Sequence, residues 1–183
     1  QDLERKIAVA TILGTLQATY TKFPYLRQVW QDNTNEERLL GVSLTGIMDN
    51  PLTTTANPDL QGLLERLRAV SVEVNKEWSA KLGIAVSTAI TAVKPSGTVS
   101  QLVNSASGIH ARHSEYYIRT VRGAFNDPLT QFMKDQGIPW EPCAHQPDTT
   151  VVFSFPQKSP DQAVLTENTT AIQQLDTWLA YQR

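Results

Sequence analysis

Thr88-Ala-Ile-Thr-Ala-Val-Lys-Pro-Ser-Gly-Thr-Val-Ser-Gln-Leu-Val-Asn104 decides how the chain is read. Its first part completes Ala85–Val93, rich in Val, Thr and Ile, the strongest strand signal in the sequence. Pro95-Ser96-Gly97-Thr98 follows as a turn, and Val99–Asn104 opens a short helix. The first amides of a helix have no internal acceptors and point outward at the positive end of its dipole. Gly97 lets the backbone come close to a ligand, and Ser96, Thr98 and Ser100 add hydroxyls, a set of parts suited to a phosphate. No Gly-Lys-Ser/Thr follows the glycine, so this is not a Walker loop. A capped helix start uses the same residue types, so these residues support two readings, a cap and an anion site.

Upstream, Asn57-Pro58-Asp59 begins a helix, with Asn as N-cap, Pro at the first helical position and an acid in the first turn. Leu60, Leu63, Leu64, Leu67, Val70, Val74 and Trp78 supply its buried face. Lys76 and Lys81 suit its negative end, and Gly83 stops it in a left-handed turn. Before it, Glu37–Met48 has an apolar centre broken by Gly41 and Gly46. Leu40–Thr45 reads as a buried strand, with a short helix left open by periodicity alone. Leu3, Ile7, Ala10, Leu13 and Leu16 place a further helix near the first residue.

Downstream, Tyr116–Val121 reads as a strand and Pro128–Gln136 as a short helix ended by Gly137. Pro139–Pro147 reads as an irregular loop, Thr149–Phe155 as an extended segment and Pro156–Pro160 as another loop. A last helix begins near Glu167, with Ile172, Leu175, Trp178 and Leu179 as its apolar stripe. Helix and strand alternating in this way make the chain α/β.

The 183 residues carry 16 Lys+Arg against 18 Asp+Glu, and a formal charge of −2 provides no basic field for nucleic acid. No apolar run approaches the roughly 20 residues of a membrane-spanning helix, and the first residues read as charged helix rather than a signal peptide. A single Cys excludes an internal disulfide framework, a Cys-x-x-Cys redox pair and a multi-cysteine metal knot. The balance describes a soluble cytoplasmic protein with neither nucleic acid nor membrane as partner. A helix already running at the start and an unstopped stripe at Arg183 read as cut ends. The expectation is one partial domain over residues 1–183.

Cys143, in Trp140-Glu-Pro-Cys-Ala-His-Gln-Pro147, has no Cys partner and no helix start to lower its pKa, and reads as a loop bystander. His110, His113, Cys143 and His145 are zinc-type ligands, yet His-x-x-His and Cys-x-His lack the usual Cys-x-x-Cys half, so no metal is expected on this segment. Tyr116 and Tyr117 fall on opposite faces of a strand, which assigns them packing rather than a radical relay. Asn168-Thr-Thr170 matches a glycosylation sequon but reads as a helix start.

Arg38-Leu-Leu-Gly-Val-Ser-Leu-Thr-Gly-Ile-Met-Asp49, Ala92-Val-Lys-Pro-Ser-Gly-Thr-Val-Ser100, Ser107-Gly-Ile-His-Ala-Arg-His113 and Tyr116-Tyr-Ile-Arg-Thr-Val-Arg122 occur in this order. Together they resemble the large-subunit barrel of ribonucleotide reductases, most closely the adenosylcobalamin-dependent (class II) enzymes that reduce ribonucleoside triphosphates. The likeness continues through Ala171–Arg183. It implies part of a ten-stranded α/β barrel, from its C-terminal half.

The resemblance implies that the turn and the helix after it hold the substrate's phosphates, a role that falls on Ser96, Gly97, Thr98, Val99 and Ser100. His110 and Arg112, close behind, are expected to face substrate or corrin, or else to pack at the barrel rim. The complete enzyme is expected to use adenosylcobalamin, a ribonucleotide substrate, the remainder of the barrel and a thioredoxin-like reductant. The family's radical-bearing cysteine, its assisting Asn and Glu and its reducing cysteine pairs match nothing in this chain. No catalytic residue is therefore expected in this segment, and the isolated chain is expected to be inactive. The rival readings are a free-standing nucleotide- or phosphate-binding module and a barrel fragment of another reductase class.

Overall fold

The computed structural model describes residues 1–94, 96–97 and 99–182. Helix α1 (Asp2–Gln17) lies against the long α3 (Leu60–Leu82), with the polar α2 (Gln28–Glu37) between them in sequence. Then come the single turn of α4 (Val99–Leu102), strand β1 (Tyr116–Ala124), α5 (Pro128–Asp135), β2 (Trp140–Cys143), β3 (Gln146–Lys158) and α6 (Ala171–Gln182). Short 3-10 turns occupy Ile47–Asp49 and Thr166–Asn168. Among the described residues no helix is long and apolar enough to cross a membrane.

Leu40–Thr45 and Ala85–Val93, expected as strands, are extended and meet each other in parallel, but their ladder is a single bridge, Val42 with Thr91. Val42 donates its amide to the Ile90 carbonyl and accepts from the Ala92 amide, at 2.9 and 3.0 Å. Helix α3 connects the two segments, giving the crossover a parallel pair requires. A parallel ladder of two members holds few bonds, which is why neither segment qualifies as a strand here. Their side chains still build a core: Ile7, Val42, Leu67 and Ile90 are buried together, with Leu3, Leu40, Leu44, Leu63 and Val70 packed around them.

The α1–α3 interface is not the leucine seam that periodicity suggests. Ile7, Thr11 and Thr15 are buried on α1, whereas Leu13 is exposed. On α3 the buried row is Leu60, Leu67, Ser71, Asn75 and Ser79, while Leu63, Leu64, Val70, Val74 and Trp78 are half-buried. Small side chains let the two helices approach, and most of their polar atoms find partners, Ser79 Oγ being buried without one among the described residues. Thr11 and Thr15 donate back to the carbonyls of Ile7 and Thr11, each at 2.8 Å. Asn75 donates to Thr15 Oγ1 and Ser87 Oγ and accepts from the Ser87 amide, all at 3.0 Å. Helix α3 starts after Asp59, two residues later than Asn57 suggests. Asn57 instead accepts the Asp59 amide in the preceding turn at 3.0 Å. Gly83 ends α3 in the left-handed region, as expected.

Strands β1, β3 and β2 form an antiparallel sheet in that order, Tyr116 opposite Lys158 at one end and Trp140 opposite Phe153 on the other edge. Val151 and Phe153 of the central strand are fully buried. Two segments expected as loops belong to this sheet. Trp140–Cys143 pairs with β3 despite Pro142, because an edge strand tolerates a missing donor, and a bulge follows at Pro142/Cys143. Pro156–Lys158 extends β3 opposite Ile118–Tyr116, beyond the reach of β2. Asp127 accepts the Leu129 amide at 2.8 Å to start α5, as Pro128 suggested. Thr170 and Gln173 cap α6 reciprocally: the Thr170 amide donates to Gln173 Oε1 at 2.9 Å and the Gln173 amide to Thr170 Oγ1 at 3.3 Å. The sequon's last residue is thus the cap of a helix that starts at Ala171, four residues after Glu167.

Candidate functional site

The extended segment ending at Lys94 delivers the chain into the turn before α4. Ser96 Oγ accepts the Ser100 amide at 3.1 Å, so its side chain caps the helix. Gly97 is exposed, and a Cβ built on it would meet nothing within 4 Å. Val99 is exposed as well. Ser100 is fully buried and its hydroxyl accepts from Gln101 Nε2 at 3.2 Å, which turns it away from solvent. Thr98 lies outside the described residues. Of the five expected phosphate residues, then, Ser96, Gly97 and Val99 surround the open side of the turn, while Ser100 supports it from within.

A second loop, Ser105–Gly108, braces the turn from behind. Ser107 Oγ donates to the Ser96 carbonyl. Gly108 sits at φ +54, and a Cβ there would stand 2.8 Å from the Lys94 carbonyl oxygen, so only glycine permits this approach. The loop is fastened in turn to residues 45–49. Ala106 donates its amide to Asp49 Oδ2 at 2.6 Å, and Gly108 donates to Thr45 Oγ1 at 3.0 Å. Gly46 and Ile47 donate back to the carbonyls of Ala106 and Gly108 at 2.9 and 3.2 Å.

Arg112 closes the network. It is 4 % exposed. Its Nε and Nη2 donate to the two oxygens of Asp49, each at 2.8 Å, the forked geometry carboxylates favour. Nη2 also reaches the Asn104 carbonyl at 2.7 Å, and Nη1 reaches Asn104 Oδ1 at 3.4 Å and Tyr117 Oη at 3.1 Å. Hydrogen bonds to Asp49 outweigh burial and raise the Arg112 pKa further. With these donors committed inside the chain, Arg112 is placed as an internal strut between Asp49, Asn104 and Tyr117. His110 is exposed, with Nδ1 3.0 Å from the Ser107 carbonyl.

Asp49 and Asn104 emerge as the partners that sequence reasoning did not single out. Asp49 stood at the end of a quoted motif with no partner visible, and Asn104 adopts φ +48 just past α4, a conformation Asn tolerates well. Tyr117 is half-buried against Arg112, while Tyr116 is exposed on the other face, the alternation expected of a strand. Cys143 is buried at the β2–β3 hairpin, and amides of His145 and Gln146, with Arg122 nearby, hold its thiol below the ordinary range. No sequence pattern signals this, because the donors belong to the hairpin. Among the described residues no three His, Cys, Asp or Glu side chains are gathered as metal ligands.

No family model matches this chain. Among curated proteins it is similar to the adenosylcobalamin-dependent ribonucleoside-triphosphate reductase of Lactobacillus gasseri, 31 % identical over 172 residues, covering 79 % of this chain and 23 % of that protein. It is likewise similar to the enzyme of that name from Euglena gracilis, 32 % identical over 146 residues, covering 80 % of this chain and 20 % of its relative. A crystal structure of a B12-dependent (class II) ribonucleotide reductase superposes over 99 % of this chain and 29 % of its own, with a TM-score of 0.78 and 24 % identity. The chain therefore spans about a quarter of the length of the proteins it matches, matches this reductase family in sequence, and shares its fold over that span.

Proposed function

We propose that this chain is a segment of the catalytic barrel of an adenosylcobalamin-dependent ribonucleotide reductase, and that it supplies the turn holding the substrate's phosphates. The whole protein would convert ribonucleoside triphosphates to deoxyribonucleotides by thiyl-radical chemistry, with a thioredoxin-like reductant. The sequence match over about four-fifths of the chain supports the reading most directly. The open face at Gly97 is compatible with it: an anion can approach the backbone there without meeting a side chain at residue 97.

This segment's part is binding and orientation. Ser96 Oγ accepts the Ser100 amide and keeps its own proton to donate to a phosphate oxygen. Amides around Gly97 and Val99 would add charge-assisted bonds, and the turn would thereby set where the ribose stands. Adenosylcobalamin, when bound, supplies the radical-generating chemistry; no residue of this segment is assigned to hold it. The reducing cysteines and the radical cysteine are assigned to chain outside the segment, since Cys143 is its only thiol.

The test is Gly97→Val in the complete reductase. A rise of about tenfold or more in KM for the ribonucleoside triphosphate, with an unchanged melting temperature, supports the reading. An unchanged KM overturns the phosphate-turn assignment. Saturable, phosphate-dependent nucleotide binding by this chain alone would favour the free-standing module instead.

A further inference from the structure

We propose that Arg112 is a positioning residue for this turn: paired with Asp49, it fixes where Lys94, Ser96 and Gly97 stand. The inference rests on the phosphate-turn reading and deepens it. Four contacts connect the guanidinium to the turn. Arg112 grips both oxygens of Asp49 at 2.8 Å, and Asp49 Oδ2 also accepts the Ala106 amide at 2.6 Å. Next in the chain, Ser107 donates to the Ser96 carbonyl, and Gly108 stands against the Lys94 carbonyl with no room for a Cβ. From its other side Arg112 holds Asn104 by both main-chain and side-chain oxygens, and the Ser105 amide donates to the Ser100 carbonyl at 2.9 Å. One buried side chain thus anchors the loop that presses on the turn at Asn104 directly and at Ala106 through Asp49.

Burying a guanidinium is a costly way to fasten a loop, and an apolar plug would often be as stable. What the planar fork adds is direction: its donors point at fixed angles, so Asp49, Asn104 and Tyr117 can take up one arrangement. A lysine in its place keeps the charge and loses that geometry. Displacement of a binding turn by even about 1 Å is enough to misplace a substrate a hundredfold in rate.

The experiment uses the complete reductase with Arg112→Lys, and Tyr117→Phe as a control that spares Asp49. Inorganic tripolyphosphate serves as the competing probe, alongside an unphosphorylated ribonucleoside. Arg112→Lys is expected to raise KM for the triphosphate and Ki for tripolyphosphate by about tenfold, and to leave Ki for the ribonucleoside unchanged. Exchange of the Ser100 and Ser105 amides, which donate to Ser96 Oγ and the Ser100 carbonyl, should quicken, while Tyr117→Phe moves neither constant. A lowered melting temperature with unchanged tripolyphosphate Ki and unchanged exchange at these amides overturns the proposal, because a merely structural strut behaves that way. Should Arg112→Lys fail to fold, Ser107→Ala, which cuts only the last link, carries the same expectations. If Gly97→Val has no effect on KM, the phosphate reading falls. Exchange at the Ser100 and Ser105 amides then decides the positioning role alone, faster exchange upholding it and unchanged exchange overturning it.

Discussion

Ser96 and Ser100 are joined by a 3.1 Å hydrogen bond in which the Ser96 hydroxyl accepts the Ser100 amide. A cap and a phosphate donor are therefore compatible roles for Ser96, because a hydroxyl that accepts one bond still has a proton to give. Stability and substrate affinity separate the two contributions.

Ser96→Ala removes the cap and should cost about 1 kcal/mol of stability. Gly97→Val should change stability by no more than about 0.5 kcal/mol, since a side chain there enters open space. Thermal melts and triphosphate KM on both variants of the complete enzyme check the pair. KM rising for Gly97→Val without a change in melting places phosphate at the turn. The reverse pattern, stability lost at Ser96 and KM constant at both positions, leaves only a cap.

Gly108 and Gly83 both lie in the left-handed region, at φ +54 and +66, but in different surroundings. Gly83→Ala meets nothing within 4 Å and should cost only the conformational term, about 1 kcal/mol. Gly108→Ala meets the Lys94 carbonyl oxygen at 2.8 Å and should cost at least about 2 kcal/mol. Denaturant melts of the two variants test this order. Equal losses would mean that the loop and the turn do not press together as described.

Asn75 is a third point where a single side chain ties segments together. Asn75→Ala leaves the Ser87 amide without its acceptor and should cost about 3 kcal/mol, toward the upper end for an orphaned buried group. A double-mutant cycle with Ser87→Ala should show coupling above about 0.5 kcal/mol, whereas additivity would mean the bonds contribute nothing together.

Much of this was legible in the sequence, and the failures share a cause. Gly83, Asp127 and Pro128 carry local signals, so the end of α3 and the start of α5 follow from a few neighbouring residues. The Thr170–Gln173 pair needs one helical turn and no more. Periodicity misread Thr11, Thr15, Ser71 and Asn75 because it weighs hydrophobicity, whereas close helix packing rewards small side chains whose polar atoms find local partners. Helix α2 has no buried residue, so it left no apolar pattern to detect. Around the turn, Pro95–Ser100 is a continuous string that invited a site reading. Asp49 and Arg112 lie 63 positions apart, and only the fold brings them into contact.

Cys143 provides a pH-dependent test. Its thiol is held below the ordinary value first by the His145 amide, then by the Gln146 amide, with Arg122 adding to them. Alkylation of this chain, whose only thiol is Cys143, should therefore titrate below the usual value of about 8.5, although burial slows it at every pH. A lowered folded-state pKa contributes stability that is complete above the unfolded thiol's pKa and is lost as pH falls through the lowered one. Cys143→Ser should abolish that dependence. In the complete reductase the same substitution should leave kcat/KM within about tenfold, a 1.4 kcal/mol change in barrier. An alkylation midpoint at or above the free-thiol value would contradict the hairpin geometry, and a larger loss of activity would give Cys143 a role in the chemistry.

Helix α6 makes the last expectation the most visible in solution. It buries Thr177, while Ile172 is 67 % and Leu175 58 % exposed, and Trp178 and Leu179 lie along the same open side. Leu102 at the end of α4, Val103 after it and Ile118 on β1 are exposed too. Apolar surface of this extent on an isolated chain favours association, at about 25 cal/mol per Å² removed from water. The parallel pair at Val42 and Thr91 adds backbone edges with few bonds made. Expressed alone, the chain should sediment as a concentration-dependent mixture of oligomers. Ile172→Glu with Leu175→Glu should shift it toward monomer while leaving the α1–α3 core intact, since neither side chain belongs to that core. A sharp, cooperative melt of a clean monomer by the unaltered chain would show that these faces need no partner, and would count against its being a segment of a larger barrel.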